Sequence, residues 1–121
     1  MNLSSGIDLI EIERIQKALE RHGERFLERI YTPDEIASAR GNAPELAARF
    51  AAKEAASKAL GTGIGPISWK DMEILNKPSG QPILHLSGRA KAIAQAQRFE
   101  TWTVSLTHTK EMAAAVVVCV G

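Results

Sequence analysis

The order of apolar and polar positions divides the chain into a helical first half and a strand-rich second half. Residues 3–10 include Ile7, Leu9 and Ile10 and read as a short strand interrupted by Asp8. Ile12, Ile15 and Leu19 recur at helical spacing and predict a helix over residues 11–22, ended or bent by Gly23. Residues 24–30 predict a further short helical turn. Thr32-Pro33-Asp34-Glu35 is a helix start, with Thr32 as the cap, Pro33 at the first helical position and Glu35 closing a capping box. That helix runs to about residue 40. Asn42-Ala43-Pro44-Glu45 opens the next helix, which extends to Leu60 and stops at Gly61.

Beyond Gly65 the period changes. Residues 67–75 predict a strand, residues 76–82 are dense in turn formers, and residues 83–86 predict the returning strand of a hairpin. Ser87 is placed to cap a short helix over residues 88–97. Residues 101–107 alternate, with Trp102, Val104 and Leu106 on one face and Thr101, Thr103, Ser105 and Thr107 on the other. Residues 112–120 are continuously apolar, which predicts a strand covered on both faces. The outcome is an α+β domain spanning 1–121, with N-terminal helices packed on a mostly antiparallel sheet.

Composition narrows the function. The 121 residues carry 15 basic and 14 acidic side chains, a net charge of +1, so no bulk electrostatic field favours nucleic acid. The longest apolar run, residues 112–120, falls far short of the ~20 residues that a spanning helix needs, and no leader pattern opens the chain. Cys119 is the only cysteine, which rules out an internal disulfide or a cysteine-based zinc site. A cytoplasmic protein is the expectation. Aromatic residues make up 5% of the chain and seven alanines fall within 47–59, so self-association is a route to further buried area.

Candidate chemistry begins with Asp8, a carboxylate in an apolar strand, whose ordinary reading is a solvent-facing or capping residue. Glu54 falls between Phe50 and Ala47/Ala51 on what reads as the most apolar stripe of its helix, with Lys58 one turn on. The bland reading is an i,i+4 ion pair. The sharper one is a Mg²⁺ ligand beside a phosphate-binding lysine, since Mg²⁺ is normally held by one or two carboxylates, water and substrate phosphate. Gly61-Thr62-Gly63-Ile64-Gly65 follows a helix instead of preceding one and lacks a Lys-Ser/Thr ending, so it reads as a C-cap and exit turn rather than a phosphate loop. Thr107-His108-Thr109-Lys110 is either a polar hairpin turn or the edge of an anion pocket. Arg14, Lys17, Arg21 and Arg25 form a basic stripe if the helix persists past Gly23, with Glu11, Glu13, Glu20 and Glu24 interleaved. A solvated face and a docking surface for an acidic partner, anchored by Phe26, are the two readings.

Together these segments resemble a known family. Gly6-Ile7-Asp8-Leu9-Ile10-Glu11 and Arg49-Phe50-Ala51-Ala52-Lys53-Glu54-Ala55-Ala56-Ser57-Lys58-Ala59-Leu60-Gly61-Thr62-Gly63-Ile64-Gly65 are similar to the two signatures of the holo-acyl-carrier-protein synthases, the small bacterial type of 4′-phosphopantetheinyl transferase. Tyr31-Thr32-Pro33-Asp34-Glu35, the turn from Asn76 through Gly80-Gln81-Pro82, and Val104-Ser105-Leu106-Thr107-His108-Thr109-Lys110-Glu111 resemble its remaining motifs in order. The resemblance implies a 4′-phosphopantetheinyl transferase-like fold. It also implies transfer of the phosphopantetheine arm of coenzyme A to a serine of apo acyl carrier protein, releasing adenosine 3′,5′-bisphosphate, in fatty-acid synthesis. Mg²⁺ dependence and homotrimers with active sites between subunits are implied as well.

By position, Asp8 and Glu54 match the metal-binding carboxylates and Lys58 the lysine near the pyrophosphate. Arg49, Ser57, His108 and Thr109 match coenzyme A contacts, and Arg14, Arg21, Arg25 and Phe26 match the region that receives the carrier-protein helix. On this view Glu54 accepts the serine proton through a metal-bound water, and Asp8, Glu54 and Lys58 are the catalytic set. Two other readings stand beside it. One is a catalytically silent module that docks an acidic partner through Arg14, Arg21 and Arg25. The other is a phosphohydrolase using Asp8 and Glu54 with water as nucleophile, which would release phosphopantetheine without a carrier protein.

Overall fold

The computed structural model describes residues 1–121. Chain order is β1 (Leu3–Glu11), α1 (Ile12–His22), α2 (Glu24–Ile30), α3 (Pro33–Ala39), α4 (Ala43–Leu60), a 3₁₀ turn (Trp69–Asp71), β2 (Met72–Asn76), β3 (Pro82–Leu86), α5 (Gly88–Ala96), β4 (Thr101–His108) and β5 (Met112–Val120). The helix boundaries follow the local signals. Gly23 ends α1 at φ 53°, Thr32 and Glu35 form the reciprocal capping box of α3, and Gly61 closes α4 at φ 80°. No helix is long and apolar enough to cross a membrane.

β1, β5 and β4 form an antiparallel sheet with β5 in the middle, and β2 and β3 form a separate antiparallel hairpin. α4 crosses the inner face of the three-stranded sheet, touching β1 and β5 most extensively. Twelve of its eighteen residues are buried, so this is a core helix, enclosed nearly all round. Its eight alanines explain how it gets there: short side chains let the helix axis lie close to the strands. The closest approach is at Gly6 on β1, where any Cβ would overlap the Ala55 carbonyl of α4. Only glycine fits that contact.

Four expectations are corrected. The strand predicted over 67–75 starts at Met72, because Trp69–Asp71 turns in a 3₁₀ helix capped by Ser68 and Asp71. β5 is fully buried on one face only: Ala113, Ala115, Val117 and Cys119 are buried, whereas the opposite face is half-buried, with Val116 exposed. The basic stripe does not continue past Gly23, because the left-handed break there separates Arg25 from the face of α1. Finally, the alternation of β1 is the reverse of a solvated strand. Leu3, Ile7 and Leu9 face outward and exposed, while Ser4, Gly6, Asp8 and Ile10 face α4.

Candidate active site

Asp8 therefore points inward, and its position is set by the Gly6 contact two residues earlier. A second pin holds the same seam, since the Ser4 hydroxyl donates to the Ala59 carbonyl at 2.7 Å. Beside this contact, made through the buried Ala55 and Ala59, runs the open stripe of α4. Phe50 and Glu54 are partly exposed and Lys58 is exposed, at i, i+4 and i+8, while the residues around them are buried. Glu54 thus sits on the open stripe of the helix, not on its most apolar one.

The three candidate catalytic side chains meet along this seam. Lys58 Nζ donates to Asp8 Oδ1 at 3.1 Å and to the Ile7 carbonyl at 3.0 Å. The lysine has taken Asp8 as its partner instead of forming the i,i+4 pair with Glu54. Burial, and then the negative charge of Asp8, raise the Glu54 carboxyl above its ordinary range, with Lys58 and Arg14 pulling it back. Like charges held together at a desolvated rim attract a cation. No group of three or more His, Cys, Asp or Glu side chains gathers anywhere in the chain. Two carboxylates with open space beside them suit Mg²⁺, which keeps waters and takes substrate phosphate, better than a metal caged by protein alone.

The remaining site candidates lie elsewhere. Ser57 is fully buried and its hydroxyl donates to the Glu54 carbonyl at 2.7 Å, so within this chain it braces the helix below the site. Arg49 is also fully buried. Its guanidinium donates to the Ile74 carbonyl at 3.1 Å, to Glu45 Oε2 at 2.7 Å and to Ser38 Oγ at 3.2 Å. These bonds tie α4 to β2 and α3, and a direct coenzyme contact by Arg49 would require it to give up one of them. His108 is exposed at the end of β4, in a cavity of about 200 Å³ that Glu45, Asn76, Gly80 and Pro82 also line. Thr109 makes the adjoining turn, its hydroxyl accepting from the Glu111 and Met112 amides at 3.3 and 3.1 Å. Arg14, Arg21 and Arg25 are exposed on α1 and α2. Phe26 packs edge-on against Tyr31 with centroids 6.0 Å apart and joins His22, Arg25 and Arg29 around a shallow depression. Lys17 is paired with Glu13 at 3.1 Å in full solvent, the ordinary fate of such a pair. In the Gly61–Gly65 turn the Gly61 amide donates to the Lys58 carbonyl, and the Thr62 and Gly63 amides both donate to the Ser57 carbonyl.

The sequence marks Glu35 only as the closing residue of a capping box and assigns Lys53 no role, yet the two form a buried ion pair at 2.7 Å with neither side chain reaching solvent. Lys53 Nζ also donates to the Trp69 and Met72 carbonyls, at 3.0 and 2.6 Å. Glu35 accepts from the amides of Thr32 and Ile74, both at 3.0 Å. Burial lowers the Lys53 ammonium below its usual range even though Glu35 pulls it up. Burial likewise drives the neighbouring Tyr31 phenol far above its own, and its hydroxyl donates to the Leu46 carbonyl at 2.7 Å. The signal was available: a lysine set in Ala51-Ala52-Lys53 and followed by Ala55-Ala56 is too enclosed by alanine to be a surface residue. This network fastens α3, α4 and the start of the hairpin together, one residue from Glu54.

Known proteins resemble this chain along nearly its whole length. Curated holo-(acyl-carrier-protein) synthases are similar over nearly the whole chain. The one from Herpetosiphon aurantiacus is 44% identical, covering 98% of this chain and 99% of its own length. That from Carboxydothermus hydrogenoformans is 48% identical, covering 95% of each. Among solved structures, the Helicobacter pylori holo-(acyl-carrier-protein) synthase in complex with coenzyme A superposes with a TM-score of 0.89 at 37% identity, covering 96% of this chain and 99% of that one. The Bacillus anthracis enzyme in complex with CoA (3′,5′-ADP) gives a TM-score of 0.79 at 41% identity, covering 96% and 94%. Residues 4–117 match the family model of the 4′-phosphopantetheinyl transferase superfamily, and with relatives of this identity over the full length, the chain belongs to that family.

Proposed function

We propose that this chain, as one domain over residues 1–121, is a holo-acyl-carrier-protein synthase. It transfers the 4′-phosphopantetheine group of coenzyme A to a serine of an apo acyl carrier protein, in the cytoplasm and in the service of fatty-acid synthesis. The observation that carries the reading is the seam at which Gly6 lets β1 touch α4 and brings Asp8 and Lys58 together beside Glu54. In the transfer, the carrier serine oxygen bonds to the β-phosphorus of the coenzyme. The bond from that phosphorus to the bridging oxygen breaks, and adenosine 3′,5′-bisphosphate leaves. Glu54, its basicity raised by burial and by Asp8, takes the serine proton. Lys58, half-exposed, can swing from Asp8 to the charge building on the departing phosphate. Mg²⁺ held by Asp8 and Glu54 would neutralise the pyrophosphate and align it.

Two features support a shared site. Along α4, Glu45 and Lys58 are roughly 20 Å apart at 1.5 Å per residue, so the His108 cavity and the Asp8 seam are separate within one chain. The outer face of the three-stranded sheet also leaves Leu3, Ile7 and Leu9 largely exposed, with Val116 beside them. A homotrimer that buries this face and sets one copy's seam against the next copy's Arg49, His108 and Thr109 accounts for both. Ile7→Glu is expected to shift the particle mass from trimer to monomer by light scattering, with the helix signal retained and transfer lost. A wild-type chain that is itself a monomer would refute the arrangement. The exposed Arg14, Arg21 and Arg25, with Phe26, suit the acidic helix of a carrier protein.

Chromatography of the nucleotide product tests the reaction. Adenosine 3′,5′-bisphosphate is expected only when coenzyme A, Mg²⁺ and apo carrier protein are all present, and EDTA is expected to stop its release. Release without carrier protein would instead favour a phosphohydrolase.

A further inference from the structure

A larger cavity lies away from this site. Its volume is about 600 Å³, within the usual range for small-molecule pockets, and it opens between β3, α5 and β4. It shares no residue with the Asp8 seam or with the cavity beside His108. Leu84 and Leu86 of β3, Ala94 of α5 and Trp102 of β4 give it an apolar lining, yet Leu84, Leu86 and Trp102 remain only partly covered. These side chains belong to the packed layer of the fold and stop short of filling it.

The rim has a definite charge. Lys91 lies on α5 and Arg98 in the turn just beyond its end, and both are exposed and line the cavity. Neither makes an ion pair, although Glu100 lies on the same rim. Arg98 moreover holds a left-handed backbone at φ 64°, an uncommon conformation for a side chain that is not glycine, asparagine or aspartate. Its amide donates to the Gln95 carbonyl at 3.0 Å, which fixes the turn that closes this end of the cavity. An apolar hollow with two unpaired cations at its mouth is complementary to an amphipathic anion: a flexible apolar body inside, and a carboxylate at the rim.

We propose that the cavity between β3, α5 and β4 binds a medium-length acyl carboxylate, with the chain against Leu84, Leu86, Ala94 and Trp102 and the carboxylate on Lys91 and Arg98. The proposal is independent of the transfer reaction. Isothermal titration of the full chain with decanoate, below its micelle concentration, tests it. One site per chain is expected. Affinity should fall by about tenfold or more in Lys91→Gln/Arg98→Gly, because two charge-assisted contacts are lost. Glycine suits the φ of residue 98, so this variant keeps the fold. Ala94→Leu, which fills the floor, should weaken binding to a similar degree, and decylammonium should not bind. Phosphopantetheine transfer by Lys91→Gln/Arg98→Gly should match wild type, which separates this site from the catalytic one. No decanoate binding, equal binding of decylammonium, or binding unchanged in both variants (as expected if the ligand coats the exposed outer sheet) would overturn the proposal.

Discussion

Glu54→Gln is expected to lower the transfer rate by roughly a thousandfold and, at the same time, to make the folded chain more stable at neutral pH. The first effect follows from removing the proposed proton acceptor and one of the two proposed metal-binding carboxylates with almost no change of shape. The second follows from the price the fold pays for that carboxylate. Burial and the charge of Asp8 raise the Glu54 carboxyl in the folded chain above its unfolded value of 4.5. The folded state thus holds the proton more tightly than the unfolded state. Its stabilising contribution is fully present below the unfolded value and is lost as pH rises through the folded one. Thermal melts from about pH 4 to about pH 8 should show the variant and wild type converging at the acid end, with the variant ahead at the neutral end. Mg²⁺ should narrow the gap by raising the wild-type melting temperature alone. A variant less stable than wild type at neutral pH would contradict this view of the site.

Lys53→Met should be the most destabilising exchange in α4, at about 3–5 kcal/mol, because it leaves the fully buried Glu35 without its cation. It also strips the Trp69 and Met72 carbonyls of a shared donor. Native domains are stable by only about 5–15 kcal/mol, so the loss is a large share of the total. Replacing both partners, as Lys53→Met with Glu35→Leu, should recover part of it, since no charge is then stranded. Glu35 also caps α3 and receives the Ile74 amide, so recovery stays incomplete. Urea unfolding of the single and double variants measures the coupling. Additive losses would mean that the pair does not act as a unit.

The parts of the molecule legible in its sequence are those where a local rule decides the outcome. Thr32 and Glu35 announce the capping box, Gly23 and Gly61 the helix ends, and residues 76–82 the hairpin turn. What stayed hidden depends on contacts between distant segments. Alternation in β1 would place Asp8 in solvent if the apolar side of that strand faced the core. The Gly6 contact with Ala55 reverses this, leaving Ile7 and Leu9 outside. The continuous apolar run of β5 reads as a strand covered twice, whereas one chain supplies only α4 and its neighbours to cover one face. Helical spacing shows that Phe50, Glu54 and Lys58 share a side, but not that the other sides of α4 are buried deeper still. For the same reason the ion pair of Lys53 with Glu35, eighteen positions away, escapes any pattern read along the chain. Arg49 shows the opposite limit: its motif position suggests a ligand contact, and only the fold reveals that Glu45, Ser38 and Ile74 already occupy its guanidinium.

The central claim is that the seam of Asp8, Glu54 and Lys58 drives phosphopantetheine transfer. The most direct measurement is the intact mass of an apo acyl carrier protein after incubation with this chain, coenzyme A and Mg²⁺, with Glu54→Gln and EDTA run in parallel. The carrier is expected to gain the mass of one phosphopantetheine group with the wild-type chain, and the gain to disappear in both controls. A carrier whose mass is unchanged with the folded wild-type chain, across several carrier proteins, would contradict it and leave a protein that docks its acidic partner without modifying it.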